Sequence, residues 1–326
     1  MNHLIKISAI SILLLYFTLC LTSCKKKPPL PVVTTTSVTG ITMTTAESGG
    51  NVTDDGGAEI TSKGVCWNTT ENPTTDNSKT SNSTGTGIFT SSLTQLTANT
   101  TYYVRAYATN SAGTGYGEQI VIKTYTGTVA DIDGNTYYTV TIGTQVWMAG
   151  NLRTTKYVNG NPISTTTPAT KDISAETSPK YQWAYNGDES TVATYGRLYT
   201  WFTVKDSRNV CPTGWHLPSD PEWETLKSSV GVESTAGGKL KEMGTIHWQS
   251  PNTGATNETG FTAVPGGGRN YTAFYSLGVS CYYLSSTQNP YNANWCWGQG
   301  MYSDSTILYR GGLEKSYGHS VRCMKN

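Results

Sequence analysis

Residues 211–226 read CPTGWHLPSDPEWETL. A cysteine, two tryptophans, a histidine and several prolines stand beside a helix start. Ser219-Asp220-Pro221-Glu222 has the pattern of a capping box, in which Ser219 satisfies an orphan amide, Glu222 returns the contact and Pro221 fits the first turn. Trp223, Leu226 and Val230 then recur on one helical face, and Gly231 is a stop signal. Pro212 and Pro218 restrict the approach, while Trp215 and Leu217 supply apolar area near a cysteine. The stretch thus reads as the place where a domain is tied down. His216 reads as a histidine hydrogen-bonded within the fold, with presentation to a partner as the alternative.

Around it lies a chain of 326 residues, 36% hydrophobic and 14% charged, enough for two domains with cores of their own. Its 23 Lys and Arg against 22 Asp and Glu give a formal charge of +1. That balance carries no electrostatic footprint for nucleic acid. Neutral partners, glycans or other proteins, stay open.

The chain opens MNHLIKISAISILLLYFTLCLTSC, with one lysine ahead of an apolar run from Ile7 to Leu21. The run, about 15 residues, is too short to span a bilayer and reads as a secretory signal over residues 1–23. Leu21-Thr22-Ser23-Cys24 resembles a bacterial lipobox, which implies cleavage before Cys24, its acylation (palmitate among the chains) and membrane attachment through that lipid. Residues 24–34, with three lysines and Pro28, Pro29 and Pro31, read as a stiffened tether. The expected location is the bacterial outer membrane or cell surface, with the membrane face left open.

Residues 35–124 alternate in the two-residue period of half-buried strands, punctuated by NVTDDGG, NPTTDN and NSAGTG. In TYYVRAYAT, Tyr102, Val104, Ala106 and Ala108 form the better core face. The spacing favours a small antiparallel sandwich. LTQLTANTTYYVRAYATNSAGTG resembles the end of a fibronectin type III domain, which implies a tyrosine-corner role for Tyr102. Cys66 reads as an inert buried thiol, with an inter-domain or intermolecular disulfide as the alternative.

Composition changes after Thr124. DGNTYYTVTIGTQVWMAGNL, YGRLYTW, VCPTGWHLPSDPEWETL and the terminal GHSVRCMKN together resemble the Fibrobacter succinogenes major paralogous domain over residues 127–325. That family looks related to the C-type-lectin-like architecture, which implies a disulfide-supported sheet, one or two helices and long loops. The expected fold class is therefore mostly β with a minor α+β component: an N-terminal β-sandwich followed by a C-type-lectin-like α+β domain. The resemblance and the lectin-like plan imply the pairs Cys211–Cys323 and Cys281–Cys296. Four cysteines permit three pairings, and the sequence selects none of them.

Catalytic and metal signals are thin. Asp131-Ile132-Asp133-Gly134-Asn135 has calcium-loop chemistry but carries Ile142 where the twelfth-position glutamate belongs, so it reads as a turn. His216 and His319 lack a zinc motif around them. VPGGGRNY lacks the lysine and hydroxyl ending of a phosphate loop and reads as a structural loop braced by Arg269. Glu222, Glu224, Glu242 and Glu258 are the carboxylates a glycosidase would draw on, yet Glu222 already caps a helix. No metal or cofactor is expected, and no enzyme; a hydrolase acting on polysaccharide is the residual alternative.

The richest recognition chemistry lies in YTAFYSLGVSCYYLSSTQNPYNANWCW, residues 271–297. Tyr282, Tyr283, Tyr291, Trp295 and Trp297 are the candidate ligand contacts, since aromatic rings stack on sugars or bury protein surface. Their alternative role is to complete a core. Gln288-Asn289-Pro290 and Asn294-Trp295-Cys296 lack the acidic pattern of calcium-dependent lectins. The expected function is a non-enzymatic envelope lipoprotein presenting its distal domain for protein binding or structural display, with calcium-independent glycan binding as the alternative.

Overall fold

The computed structural model describes residues 27–326. The signal reading of residues 1–23 and the acylation of Cys24 lie outside the described residues. No helix among the described residues is long and apolar enough to cross a membrane.

The first eight strands are β1 (Val32–Thr35), β2 (Ala46–Asp54), β3 (Ser62–Asn68), β4 (Ser78–Lys79), β5 (Gly87–Leu93), β6 (Thr101–Asn110), β7 (Gly113–Tyr116) and β8 (Ile120–Lys123). They form two antiparallel sheets, β1-β2-β5 and β4-β3-β6-β7, with β8 also paired to β6. This is the two-sheet plan of a fibronectin type III-like sandwich. Tyr102, Val104, Ala106 and Ala108 all face its core, as alternation requires. The Tyr102 hydroxyl accepts a hydrogen bond from the Thr97 amide at 3.0 Å, the tyrosine-corner contact. Tyr107, on the opposite face, is also buried, because its hydroxyl donates to Thr80 O at 2.8 Å under the edge segment after β4. The sandwich also begins earlier than residue 35. β1 starts at Val32, and Asn110 Nδ2 donates to Pro29 O at 2.8 Å, so part of the tether is strand and packed coil.

The second region contains β9 (Gly127–Ala130), β10 (Thr136–Ile142), β11 (Gln145–Met148), β12 (Gln182–Trp183), β13 (Leu198–Tyr199), β14 (Trp215–His216), β15 (Gly266–Arg269), β16 (Phe274–Leu277), β17 (Ser280–Gln288), β18 (Trp295–Tyr302), β19 (Tyr309–Glu314) and β20 (Met324–Lys325). Its helices are α1 (Val192–Tyr195), α2 (Trp201–Val204), α3 (Asp220–Val230) and α4 (Glu233–Leu240). One sheet runs β14-β20-β11-β10-β9, so the two ends of the domain meet in it; the other runs β16-β15-β17-β18-β19.

The stretch 211–226 does what its residues dictate. Trp215 and His216 form β14 and pair with Lys325 and Met324 of β20. A disulfide joins Cys211 to Cys323 across 112 positions, stapling the entry of α3 to the last strand. The Glu222 carboxylate accepts from the Ser219 amide at 2.6 Å and its hydroxyl at 2.8 Å, closing the capping box. Trp223, Leu226 and Val230 are buried. Trp223 stands among Trp147, Phe261 and Tyr283 with ring centroids 4.8, 6.1 and 5.7 Å away. Burying such a side chain stabilises by about 2–3 kcal/mol.

Cys281 and Cys296 do not pair; both are buried free thiols, as is Cys66. On the β17–β18 ladder Cys281 faces Met301, five residues along β18 from Cys296. That is roughly 17 Å of strand, and the two side chains enter different core clusters, so no bridge can form. Burial pushes the Cys281 and Cys296 thiols up to about 12 and Cys66 to about 11, which leaves all three unreactive.

Irregular segments of this domain are held by buried cations. Arg269 donates to Ala169 O, Lys171 O and Asn270 O beneath Trp183. Arg322 donates to Met148 O, Phe261 O, Thr262 O and Asn151 Oδ1. Lys241 Nζ donates to Thr253 O, Tyr302 O and Ser305 O. The triple glycine Gly266–Gly268 is a buried strand and not the loop expected, because residues 266–269 pair with β16 and touch β17.

The two domains share a joint. Tyr125 is buried in the second core, its ring stacked on Tyr138 at 4.6 Å, while its backbone bonds Thr42 and Asn99 of the sandwich at 3.1 Å each. Ile41 packs against both cores, and Lys123 Nζ donates to Thr141 O at 2.6 Å.

Candidate functional site

The β15–β19 sheet has two faces, and side-chain alternation sorts the expected contact residues between them. Tyr283 points inward. It is fully buried, its ring between Trp223 and Phe261, and its hydroxyl donates to Asn151 Oδ1 at 3.1 Å. A ligand cannot reach it, so Tyr283 leaves the set of candidate contacts and joins the core.

Tyr291, Trp295 and Trp297 do come together, at the tip of the β17–β18 hairpin. The loop is locked by its asparagines: Asn289 Oδ1 accepts from the Tyr291 amide at 2.8 Å, and Asn292 Oδ1 from the Asn294 amide at 3.0 Å. These are local turn contacts that leave side chains free to project. Tyr291 is 88% exposed and Trp295 is 40% exposed. The Trp295 indole donates to Glu314 at 2.8 Å, and its ring covers Gly312, where any side chain would collide with it. Trp297 lies with its ring 6.5 Å from that of Tyr291 and directly under Arg310, whose guanidinium carbon is 3.6 Å from the ring centroid. Arg310 is held from behind by both oxygens of Asp220, at 2.8 and 2.7 Å, in the first turn of α3. Hydrogen bonding to Asp220 pushes the Arg310 pKa up, so the guanidinium over Trp297 stays charged and ion-paired.

Tyr282 faces the other side of the sheet. There it is half-buried within a layer of tyrosines that single-strand reading does not collect, since Tyr275, Tyr302 and Tyr309 come from three different strands. The usable signal was the adjacent pair Tyr282-Tyr283, of which alternation allows only one to face outward.

The remaining candidates are structural. His216 bonds Asn326 at 2.7 Å and Glu222 at 3.0 Å. Asp131 Oδ1 accepts the amides of Asp133 and Asn135 at 3.0 Å, the geometry of a turn. Glu224 pairs with Lys227, Glu242 with His247 and Glu258 with Lys239. Among the described residues no three His, Cys, Asp or Glu side chains cluster as a metal site.

The family model of the Fibrobacter succinogenes major domain matches residues 140–325, which spans the disulfide, α3, the buried cations and the β15–β19 sheet. The chain belongs to the Fibrobacter succinogenes major domain family. Solved structures similar to part of it include the sensor domain of the anti-sigma factor RsgI4 of Pseudobacteroides cellulosolvens, at 18% identity over 29% of this chain and 95% of that one, TM-score 0.23. Others are the FN1–FN3 domains of chicken CNTN1, at 20% over 30% and 32%, TM-score 0.24, and a human fourth FNIII domain, at 22% over 32% and 86%, TM-score 0.24. No curated protein matches the chain.

Proposed function

We propose that this member of the Fibrobacter succinogenes major domain family is a non-enzymatic bacterial envelope lipoprotein, acylated at Cys24, whose distal domain is displayed for reversible protein binding. The observation that carries the reading is the hairpin tip. Tyr291 and Trp295 are exposed on a locked loop beside Trp297 and Arg310, the aromatic-plus-arginine composition of interaction hot spots. A C-type-lectin-like plan is supported by the meeting of the domain ends in one sheet, by the Cys211–Cys323 staple and by the long braced loops. A hydrolase would need convergent acid and base groups, whereas Glu222, Glu224, Glu242 and Glu258 are each engaged by a different neighbour.

Binding of purified envelope proteins and glycans to the full chain, repeated with Tyr291→Ala and Trp295→Ala after folding is confirmed by circular dichroism, tests the patch. Loss of a protein partner in both variants supports it, and unchanged binding in both rejects it. Intact-mass measurement of the membrane-extracted protein tests the anchor: a mature chain starting at Cys24 without acyl mass rejects it.

A further inference from the structure

We infer that the tyrosine-lined face of the β15–β19 sheet, opposite the one that packs on α3, is a second and separate binding site, built for a neutral oligosaccharide. Six tyrosine rings and the His319 imidazole form one continuous layer. Tyr271 meets Tyr317 at 5.0 Å, Tyr317 meets His319 at 6.3 Å and His319 meets Tyr282 at 5.5 Å. Tyr282 in turn meets Tyr275 at 6.0 Å and Tyr302 at 5.9 Å, and Tyr302 meets Tyr309 at 5.3 Å. Every tyrosine in the layer retains solvent-exposed surface.

Ladder register shows that the layer is a built surface. Tyr282 faces Gly300, Gly300 faces Tyr309, Ser280 faces Tyr302 and Gly268 faces Tyr275, so these residues share one side of the sheet. Glycines make the floor. A Cβ at Gly268 would stand 2.6 Å from the Tyr275 ring, and one at Gly300 would lie 3.6 Å from both Tyr282 and Tyr302. No Lys, Arg, Asp or Glu occupies this side of the five strands; toward the hairpin tip the same side carries Leu284, Cys296 and Leu313, which are covered by the core around the disulfide, so the open part is the tyrosine end.

Unused polar atoms lie within the layer. His319, 1% exposed, has no hydrogen-bond partner at either ring nitrogen among the described residues, and neither has the buried Ser280 hydroxyl. Such groups cost about 1–3 kcal/mol each when left unpaired, and a phenylalanine at 319 would avoid that. Flat rings with hydroxyl rims, a single carboxylate (Glu314) at the Tyr271 end, and buried polar atoms beneath call for a ligand that is apolar on its faces, rich in hydroxyls and not anionic. A pyranose chain has that chemistry. An anionic polymer finds no cation on this side, and the Trp, Met and Arg that accompany Tyr in protein hot spots are missing from it. His319 lies against Tyr282 and Tyr317, so its unpaired nitrogens sit directly behind those rings.

Isothermal titration of the detergent-solubilised full chain with cellohexaose, xylohexaose and mannohexaose, and with oligogalacturonate as the anionic control, tests this. At least one neutral chain is expected to bind, without salt dependence. Tyr282→Ala is expected to weaken it about tenfold, and Tyr309→Ala, at the exposed edge where folding is not at risk, by a smaller factor. Tyr291→Ala leaves sugar affinity unchanged, since that ring lies at the hairpin tip. No binding of any neutral chain, preference for oligogalacturonate, or wild-type affinity in folded Tyr282→Ala and Tyr309→Ala overturns the assignment. Each of those failures leaves the hairpin-tip reading to its own protein-binding measurement.

Discussion

In the sandwich the buried lysine, Lys63, donates to Gly85 O and Thr86 O beside regular strands; in the distal domain Arg269, Arg322 and Lys241 each gather carbonyls from separate loops. Arg322 alone reaches back 174 positions to Met148. Ladders satisfy the backbone of the first domain, whereas the second replaces missing ladders with cationic side chains that have no buried carboxylate partner. The difference teaches how a loop-rich domain stays ordered: each buried cation substitutes for several strand hydrogen bonds, and the charge is tolerated because carbonyl dipoles surround it.

The comparison breaks most visibly at Arg322. Arg322→Met takes the donor from the Met148, Phe261 and Thr262 carbonyls, while Asn151 Oδ1 keeps the Tyr283 hydroxyl, and is expected to destabilise the distal domain by about 3–5 kcal/mol. Urea unfolding followed by tryptophan fluorescence should then show an early distal transition, with the sandwich transition retained. A single unshifted midpoint would erase the distinction. Next comes the staple: Cys211→Ser with Cys323→Ser opens a loop of 112 positions and should cost about 2–5 kcal/mol, read as a lowered distal melting temperature that reductant no longer changes.

Acid should act on the distal domain through His319. Burial lowers its folded pKa from 6.5 to about 3, so the unfolded chain binds the extra proton first. Its contribution is fully present above pH 6.5 and is lost as pH falls toward 3, a slope worth roughly a few kcal/mol in total. His319→Phe should flatten the stability curve across that window, whereas an unaltered slope would assign acid sensitivity elsewhere. The smallest effect is at the helix start, where Ser219→Ala should lower distal stability by about 0.5–2 kcal/mol in the same urea experiment.

What the sequence disclosed follows the range of the interactions. Alternation in TYYVRAYAT marked the sandwich core, and Ser219 with Glu222 marked α3, because those contacts lie within a few residues. Cys211–Cys323 came from resemblance rather than spacing. The same resemblance implies Cys281–Cys296, which ladder register overrules by setting Cys281 opposite Met301. Tyr283 and Tyr282 were indistinguishable by composition and differ only in which side of β17 they occupy. The tyrosine layer stayed hidden because its members meet only after five strands and two loops assemble.

The Tyr125 joint has a mechanical meaning. A connector that belongs at once to one core and to the backbone of the other couples bending to bond breaking: turning one domain against the other must first part Tyr125 from Thr42 and Asn99.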